Sequence, residues 1–147
     1  MEPARIVTHV SSTVRRAGIS QAKVRRLVEA TLASERISNA MISIAFVGRG
    51  AMARMNWRYL RHKGATDVIS FGMGRTAPGM PAVGDIYICT DVARQNARQN
   101  GVPVGEELAR LVVHGTLHVA GRDHPGDESR TQSAMWKKQE RILASAH

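Results

Sequence analysis

Cysteine is nearly absent from this chain: Cys89 is the single example among 147 residues. No internal disulfide can form, and no second thiolate exists to build a zinc knuckle. Both facts fit a reducing compartment and leave Cys89 as a small buried side chain. Aromatic residues make up 4% of the chain, too few for ring stacking to be the main grip on a partner. Acidic residues are scarce as well: 12 stand against 21 lysines and arginines, a formal charge of +9 with histidines neutral. A surplus of that size in a small protein favours a polyanionic partner, with nucleic acid and anionic membrane surfaces the usual candidates. No apolar run approaches the ~20 residues that cross a bilayer. The opening Met1-Glu2-Pro3-Ala4-Arg5 lacks the apolar segment of a secretory signal. The expected setting is therefore the cytoplasm, with no membrane association. The phosphate cradle G-x-x-x-x-G-K-[ST] is missing, so an NTPase finds no support. Repeats, low-complexity tracts and linkers are missing too, and residues 1–147 read as a single domain able to bury its own core.

What is present alternates between strand and helix patterns. Residues 5–14 are rich in β-branched types and predict a first strand. Ser20 can cap a helix whose apolar positions Val24, Leu27, Val28, Thr31 and Leu32 recur at helical spacing. Met41–Val47 reads as a buried strand, followed by a helix carrying Met52, Met55 and Tyr59 on one side. Asp67–Phe71 predicts a short strand, and residues 72–84, with four glycines and two prolines, predict a loop. Asp85–Thr90 is a further strand, after which Thr90 or Asp91 can cap a helix running to about Asn100. Gly101-Val102-Pro103 breaks that helix, and the next begins near Gly105 with Glu106 and Glu107 at its positive end. Asp127 can cap a last helix with Met135, Trp136, Ile142 and Leu143 on its apolar face. The fold class that follows is α+β: a small mixed sheet packed by helices, with the helix that precedes His118 in the core.

The chemistry concentrates in His114-Gly115-Thr116-Leu117-His118-Val119-Ala120-Gly121-Arg122-Asp123-His124. Helical residues advance about 100° each, so side chains four apart share a face and two imidazoles can aim at one point. Gly121 tolerates positive φ, which lets the chain turn and return His124 as a third ligand. Leu108, Leu111, Val112, Val113, Leu117 and Val119 make the helix apolar over much of its circumference, the pattern of a buried helix. Histidines buried there without partners would carry a desolvation cost that a bound metal removes. Three neutral imidazoles with one open position describe a catalytic zinc site, in which a bound water's pKa falls to about 7. The predicted ligands are His114, His118 and His124, holding one Zn2+ per chain.

This spacing is shared with the metzincin proteases, H-E-x-x-H-x-x-G-x-x-H, except that their general-base glutamate is Gly115 here. A glycine moves no proton, which argues against a peptidase of that type. Read together with Asn56-Trp57-Arg58-Tyr59-Leu60, Thr66-Asp67-Val68-Ile69-Ser70-Phe71 and Gly84-Asp85-Ile86-Tyr87-Ile88, the histidine element resembles the bacterial YbeY family. These are metal-dependent endoribonucleases of ribosomal RNA maturation. The resemblance covers about Met41 to His124.

It implies a zinc-dependent endoribonuclease directed at single strands. Such an enzyme would act at the 3′ end of small-subunit ribosomal RNA and in ribosome quality control. Its partners would be ribosomal RNA and the small ribosomal subunit, with no DNA specificity. It also implies that the three histidines are the zinc ligands. Many members carry an arginine directly after the aromatic residue of the N-x-x-Y segment. Leu60 occupies that place here, with Arg58 and Arg61 on either side. Arg61 is the candidate catalytic guanidinium, and Arg58, Arg61 and Arg122 are the candidate RNA contacts. Asp67, Asp85 and Asp123 are the carboxylates beside family motifs. Asp85 is taken as the candidate proton-transfer group, and Asp123 as a hydrogen-bond partner of a ligating histidine. A non-catalytic, zinc-stabilised ribosome assembly factor is the alternative, and a metallopeptidase a more distant one.

Overall fold

A computed structural model of the protein describes residues 5–73, 79–121 and 128–146, with side chains in the last segment from residue 134 onward. Arg122, Asp123, His124 and Asp127 lie outside the described residues. Strand β1 (Arg5–Ser12) leads into helix α1 (Gln21–Ser34), strand β2 (Asn39–Val47) into helix α2 (Arg49–Leu60). Strands β3 (Val68–Gly72) and β4 (Ala82–Cys89) precede helices α3 (Thr90–Asn100), α4 (Val104–Val119) and α5 (Glu128–Ser145).

The four strands form one mixed sheet in the order β1-β2-β4-β3. The central pair β2 and β4 is parallel, with Ala40 beside Ala82 and Val47 beside Cys89, and β1 is parallel to β2. Only β3 runs antiparallel, with Val68 opposite Ile88 and Gly72 opposite Gly84. Side chains alternate across such a sheet. Ala82, Gly84, Ile86 and Ile88 turn to one face, Asp85, Tyr87 and Cys89 to the other. The first face meets α1 and α4 in the main core, which contains Val24, Leu27, Ile42, Ile44, Phe46, Ile86, Leu108, Val112 and Leu117. A smaller cluster around Met52, Ile69 and Cys89 joins α2 to the opposite face.

Local chemistry explains the element ends. The Ser20 hydroxyl accepts from the Lys23 amide at 3.1 Å and starts α1, which buries Val24, Leu27, Val28, Thr31 and Leu32. Gly101 ends α3 at φ +66°, and Pro103 then begins α4. In α4, Leu108, Val112, Val113 and Leu117 are wholly inaccessible. At about 1.5–3 kcal/mol each as an upper bound, their burial exceeds the cost of half-burying two neutral imidazoles on the same helix. The metal-motif helix is therefore a core element by its apolar residues alone.

Three sequence expectations are corrected. The segment read as a loop to residue 84 joins the sheet from Ala82 onward, because Ala82, Val83 and Gly84 pair with Ala40, Met41 and Ile42. Neither Thr90 nor Asp91 caps α3. Cys89 is the capping position, without a side-chain bond, and the Asp91 carboxylate accepts from the Arg49 amide at 3.2 Å. Trp136 is 55% exposed, off the face on which Met135 and Ile142 are buried.

Gly84 shows how tightly α4 lies on the sheet. A Cβ there would stand 2.6 Å from the Phe71 carbonyl oxygen and 2.7 and 2.8 Å from the two Val119 methyls. Since one obstacle is backbone, relaxation is costly. Gly84→Ala is expected to destabilise the protein by about 1–3 kcal/mol, read as a fall of several degrees in the thermal midpoint. An unchanged midpoint would mean that α4 can be displaced from β3 and β4 at no cost.

Candidate metal centre and adjoining cleft

His114 and His118 project from the same side of α4, as i,i+4 geometry dictates, and both are half-buried. Their Nε2 atoms lie 3.0 Å apart, with ring centroids at 4.6 Å and planes inclined by 68°. The 3.0 Å contact is that of a ring-to-ring hydrogen bond, and it is close to the roughly 3.3 Å at which two ligands about 2.0–2.1 Å from a tetrahedral zinc stand from each other.

The helix ends at Val119 with Ala120 as its cap, and Gly121 follows at φ +96°, with its amide donating to the His118 carbonyl at 3.0 Å. That left-handed backbone is the bend expected of a glycine there. Among the described residues no group of three metal-ligating side chains forms, and His124 lies outside them.

The orientation of the His114 ring follows from its neighbours. Its Nδ1 lies 2.7 Å from Gln139 Oε1, and Gln139 Nε2 donates to Glu140 Oε2 at 3.1 Å. A carboxylate only accepts, so the amide nitrogen must face Glu140 and the amide oxygen His114. In the neutral ring the proton therefore sits on Nδ1, which leaves the Nε2 lone pair toward His118. A neutral imidazole with a bare Nε2 is the form that binds a metal, so the described donors fit a divalent cation.

Glu140 is itself held by Arg110, whose Nε and Nη2 donate to its two oxygens at 2.9 and 3.1 Å. A third bond runs from Arg110 Nη1 to the buried Glu107 at 3.1 Å. The bond to Glu140 raises the Arg110 pKa above its ordinary value against the opposing effect of burial, with Glu107 adding to the rise. Burial pushes the Glu140 carboxyl up, but the bonds from Arg110 and Gln139 outweigh it and hold the group below its usual range. Glu107 was legible only as an acid at the start of α4, and its link through Arg110 to Glu140 and Gln139 was not, because that contact joins two helices whose relative register no periodicity reveals.

The remaining candidates lie on the other side of the sheet. Arg58 and Asp85 line a cleft of about 520 Å³ with Arg54, Ala51, Met55, Tyr59, Phe71 and Tyr87. Its aromatic floor is edge-to-face: Tyr59 to Phe71 at 5.4 Å, Phe71 to Tyr87 at 6.1 Å. Arg54 went unnoticed in the sequence, although it lies one helical turn before Arg58 and on the same face. Arg61 is not in the lining. It caps α2 in the left-handed conformation at φ +57°, and its guanidinium lies 5.7 Å from the Trp57 ring centroid. Leu60, at the family arginine's place, is 44% exposed. Asp67 is engaged structurally, accepting from Asn96 at 3.2 Å and from Thr66 at 3.5 Å. The buried Asn56 amide donates to the Gly64 carbonyl at 2.9 Å, which closes the turn after α2.

Asp85 thus leaves β4 on the face away from α4, while its neighbour Gly84 touches Val119 on the near face. The cleft lies on one face of β3 and β4, and α4 packs on the other. Among the described residues no helix is long and apolar enough to cross a membrane.

Comparison with known proteins agrees over most of this framework. A Thermotoga maritima protein known from a solution structure superposes with a TM-score of 0.64 at 22% identity, over 93% of this chain and 87% of that one, a likeness of fold. Endoribonuclease YbeY of Syntrophus aciditrophicus is 30% identical over 128 residues, covering 85% of this chain and 80% of its own. That of Renibacterium salmoninarum is 38% identical over 111 residues, 71% of this chain and 69% of its own. The sequence model of the Endoribonuclease YbeY family matches residues 9–147, which takes in every strand and helix after the start of β1 together with the histidine element. With that match added to the paired imidazoles and the mixed sheet beneath them, the chain belongs to the YbeY family of endoribonucleases.

Proposed function

We propose that this protein cuts single-stranded RNA in ribosomal RNA maturation, at the small-subunit 3′ end and in ribosome quality control, using one zinc ion held by His114, His118 and His124. The observation that carries the reading is the approach of two Nε2 atoms to 3.0 Å, with the His114 proton on the opposite ring nitrogen. Bound there, a divalent cation would supply Lewis acidity toward a phosphoryl oxygen and a means of activating water near neutral pH. The chain's own groups bind and orient. Arg58, with Arg54 beside it, is assigned to backbone phosphates in the cleft, where a planar guanidinium matches two phosphate oxygens. Tyr59, Phe71 and Tyr87 give one unpaired base an apolar wall. Asp85 is the carboxylate of this cleft, and its assignment is to proton transfer or to ordering the two arginines. Arg61, exposed beyond the end of α2, and Arg122 are assigned to the flanking strand. With few aromatic residues and a charge of +9, phosphate contacts dominate binding, so affinity falls steeply with salt. Unpaired RNA suits such a surface because its phosphates and bases are both within reach. Ribosomal RNA in the small subunit is the partner in this reading, and the cytoplasm its setting.

The alternative of a non-catalytic assembly factor draws support from one feature, the exposed leucine where the family arginine stands, with Arg61 turned onto Trp57. One experiment separates the two. Purified protein is analysed for metal, then assayed on a labelled single-stranded RNA and on its duplex, before and after chelation and zinc restoration. The expected result is about one zinc per chain and cleavage of the single strand that disappears on chelation and returns with zinc. Metal-replete protein that binds the RNA and leaves it intact would favour the assembly factor, and undiminished cleavage after chelation would remove the metal from the reaction.

A further inference from the structure

The polar chain that reaches His114 from α5 has a direction. Glu107 and Glu140 grip Arg110; Glu140, an acceptor at both oxygens, accepts from the Gln139 amide nitrogen; the amide oxygen is thereby turned to His114 Nδ1 at 2.7 Å. Each link leaves the next one orientation. Gln139 is 4% exposed, so water does not compete freely for its amide. The Arg110 and Glu140 side chains are 17% and 31% exposed, which limits screening of the pair that anchors the chain. His114 is thus reached by a residue 25 positions away on another helix.

We infer that Gln139 is a positioning residue of the metal centre: it holds the His114 proton on Nδ1 and so aims the Nε2 lone pair at the shared cation position, with Glu140 and Arg110 fixing the orientation of its amide. This rests on the metal reading above. Without the amide oxygen, the proton can move to Nε2, where it blocks coordination, and the ring can rotate about its χ2. Partners of this kind typically carry 10- to 100-fold in metal affinity.

Gln139→Leu removes the acceptor at nearly constant size. Glu140→Gln replaces a group that only accepts with one that can present either end, freeing the Gln139 amide to flip. Two readouts apply to each: long-range proton–nitrogen NMR of the His114 ring in metal-free protein, and zinc affinity from competition with a chromophoric chelator. Wild type is expected to show the Nδ1–H tautomer. Gln139→Leu should show mixed tautomers and about a 10- to 100-fold loss of zinc affinity. Glu140→Gln should shift both in the same direction by less. Circular dichroism establishes that each variant is folded, and Glu140→Gln carries the test should the leucine variant fail to fold.

A folded Gln139→Leu protein with the wild-type tautomer, or with wild-type zinc affinity, would overturn the inference. Failure of the metal reading looks different: wild type itself would bind no zinc, while the tautomer measurement would still decide whether Gln139 sets the ring.

Discussion

If the proposed zinc site and RNA cleft are right, His118→Ala should empty the first while leaving the protein folded and able to hold RNA. Zinc content is expected to fall from about one per chain to near zero, and affinity by more than the ~100-fold that a supporting partner can carry, since a ligand itself is lost. Cleavage should fall with it to background. The fold should survive because α4 is held by Leu108, Val112, Val113 and Leu117, all inaccessible, whereas His118 is half-buried. A loss near 1 kcal/mol in metal-free stability is the expected scale for such a substitution. RNA affinity should change little, because Arg54 and Arg58, the proposed phosphate contacts, line a cleft on the opposite face of the sheet. The informative comparison is therefore metal content, cleavage and RNA binding measured on one preparation. A variant with wild-type zinc would show that the ion sits elsewhere. One that loses RNA binding in proportion to cleavage would show that the cation, rather than the arginine cleft, holds the substrate.

The asymmetry between what the sequence revealed and what it concealed follows from the range of the interactions. Helix α1 was legible from Ser20 to Leu32 because its cap and its apolar stripe are both local. So was α4, whose apolar residues and paired histidines obey a single period. The start of β4 was hidden, because Ala82, Val83 and Gly84 are strand residues by virtue of β2 beside them, not by their own preferences. Gly84 in particular resembles a turn residue until Val119 is seen against it. Asp91 looked like a cap, yet its carboxylate serves the Arg49 amide across 42 positions. The candidate site divides in the same way. Two histidines one turn apart declare themselves, whereas Gln139 enters only when α5 is laid against α4. Asp85 and Arg58 were associated through motif order, and the strand's alternation decides which face they share.

Gly115 is where sequence logic and packing bear on the same atom. By pattern it occupies the place of the metzincin glutamate, and a natural thought is that Gly115→Glu would install the absent general base. Packing forbids it. Gly115 lies about 100° around α4 from His114, and its hydrogen points into the sheet. A Cβ there would stand 2.7 Å from the Ile86 γ2 methyl and 3.3 Å from two further Ile86 carbons. Ile86 is itself wholly inaccessible and β-branched, so its side chain has few rotamers to retreat into. Gly115→Ala is accordingly expected to cost about 1–3 kcal/mol through crowding, partly offset by about 1 kcal/mol of helix propensity. Gly115→Glu adds a carboxylate to an apolar contact between α4 and β4, where desolvation costs several kcal/mol more. For a domain stable by about 5–15 kcal/mol, that is enough to leave much of the chain unfolded at 37 °C. The measurement is a pair of denaturant titrations followed by circular dichroism, with the alanine variant separating crowding from charge. A glutamate variant as stable as wild type would mean that α4 can rotate on the sheet and carry residue 115 toward the histidine face. In that event the helix would not be the fixed platform that a convergent pair of imidazoles requires.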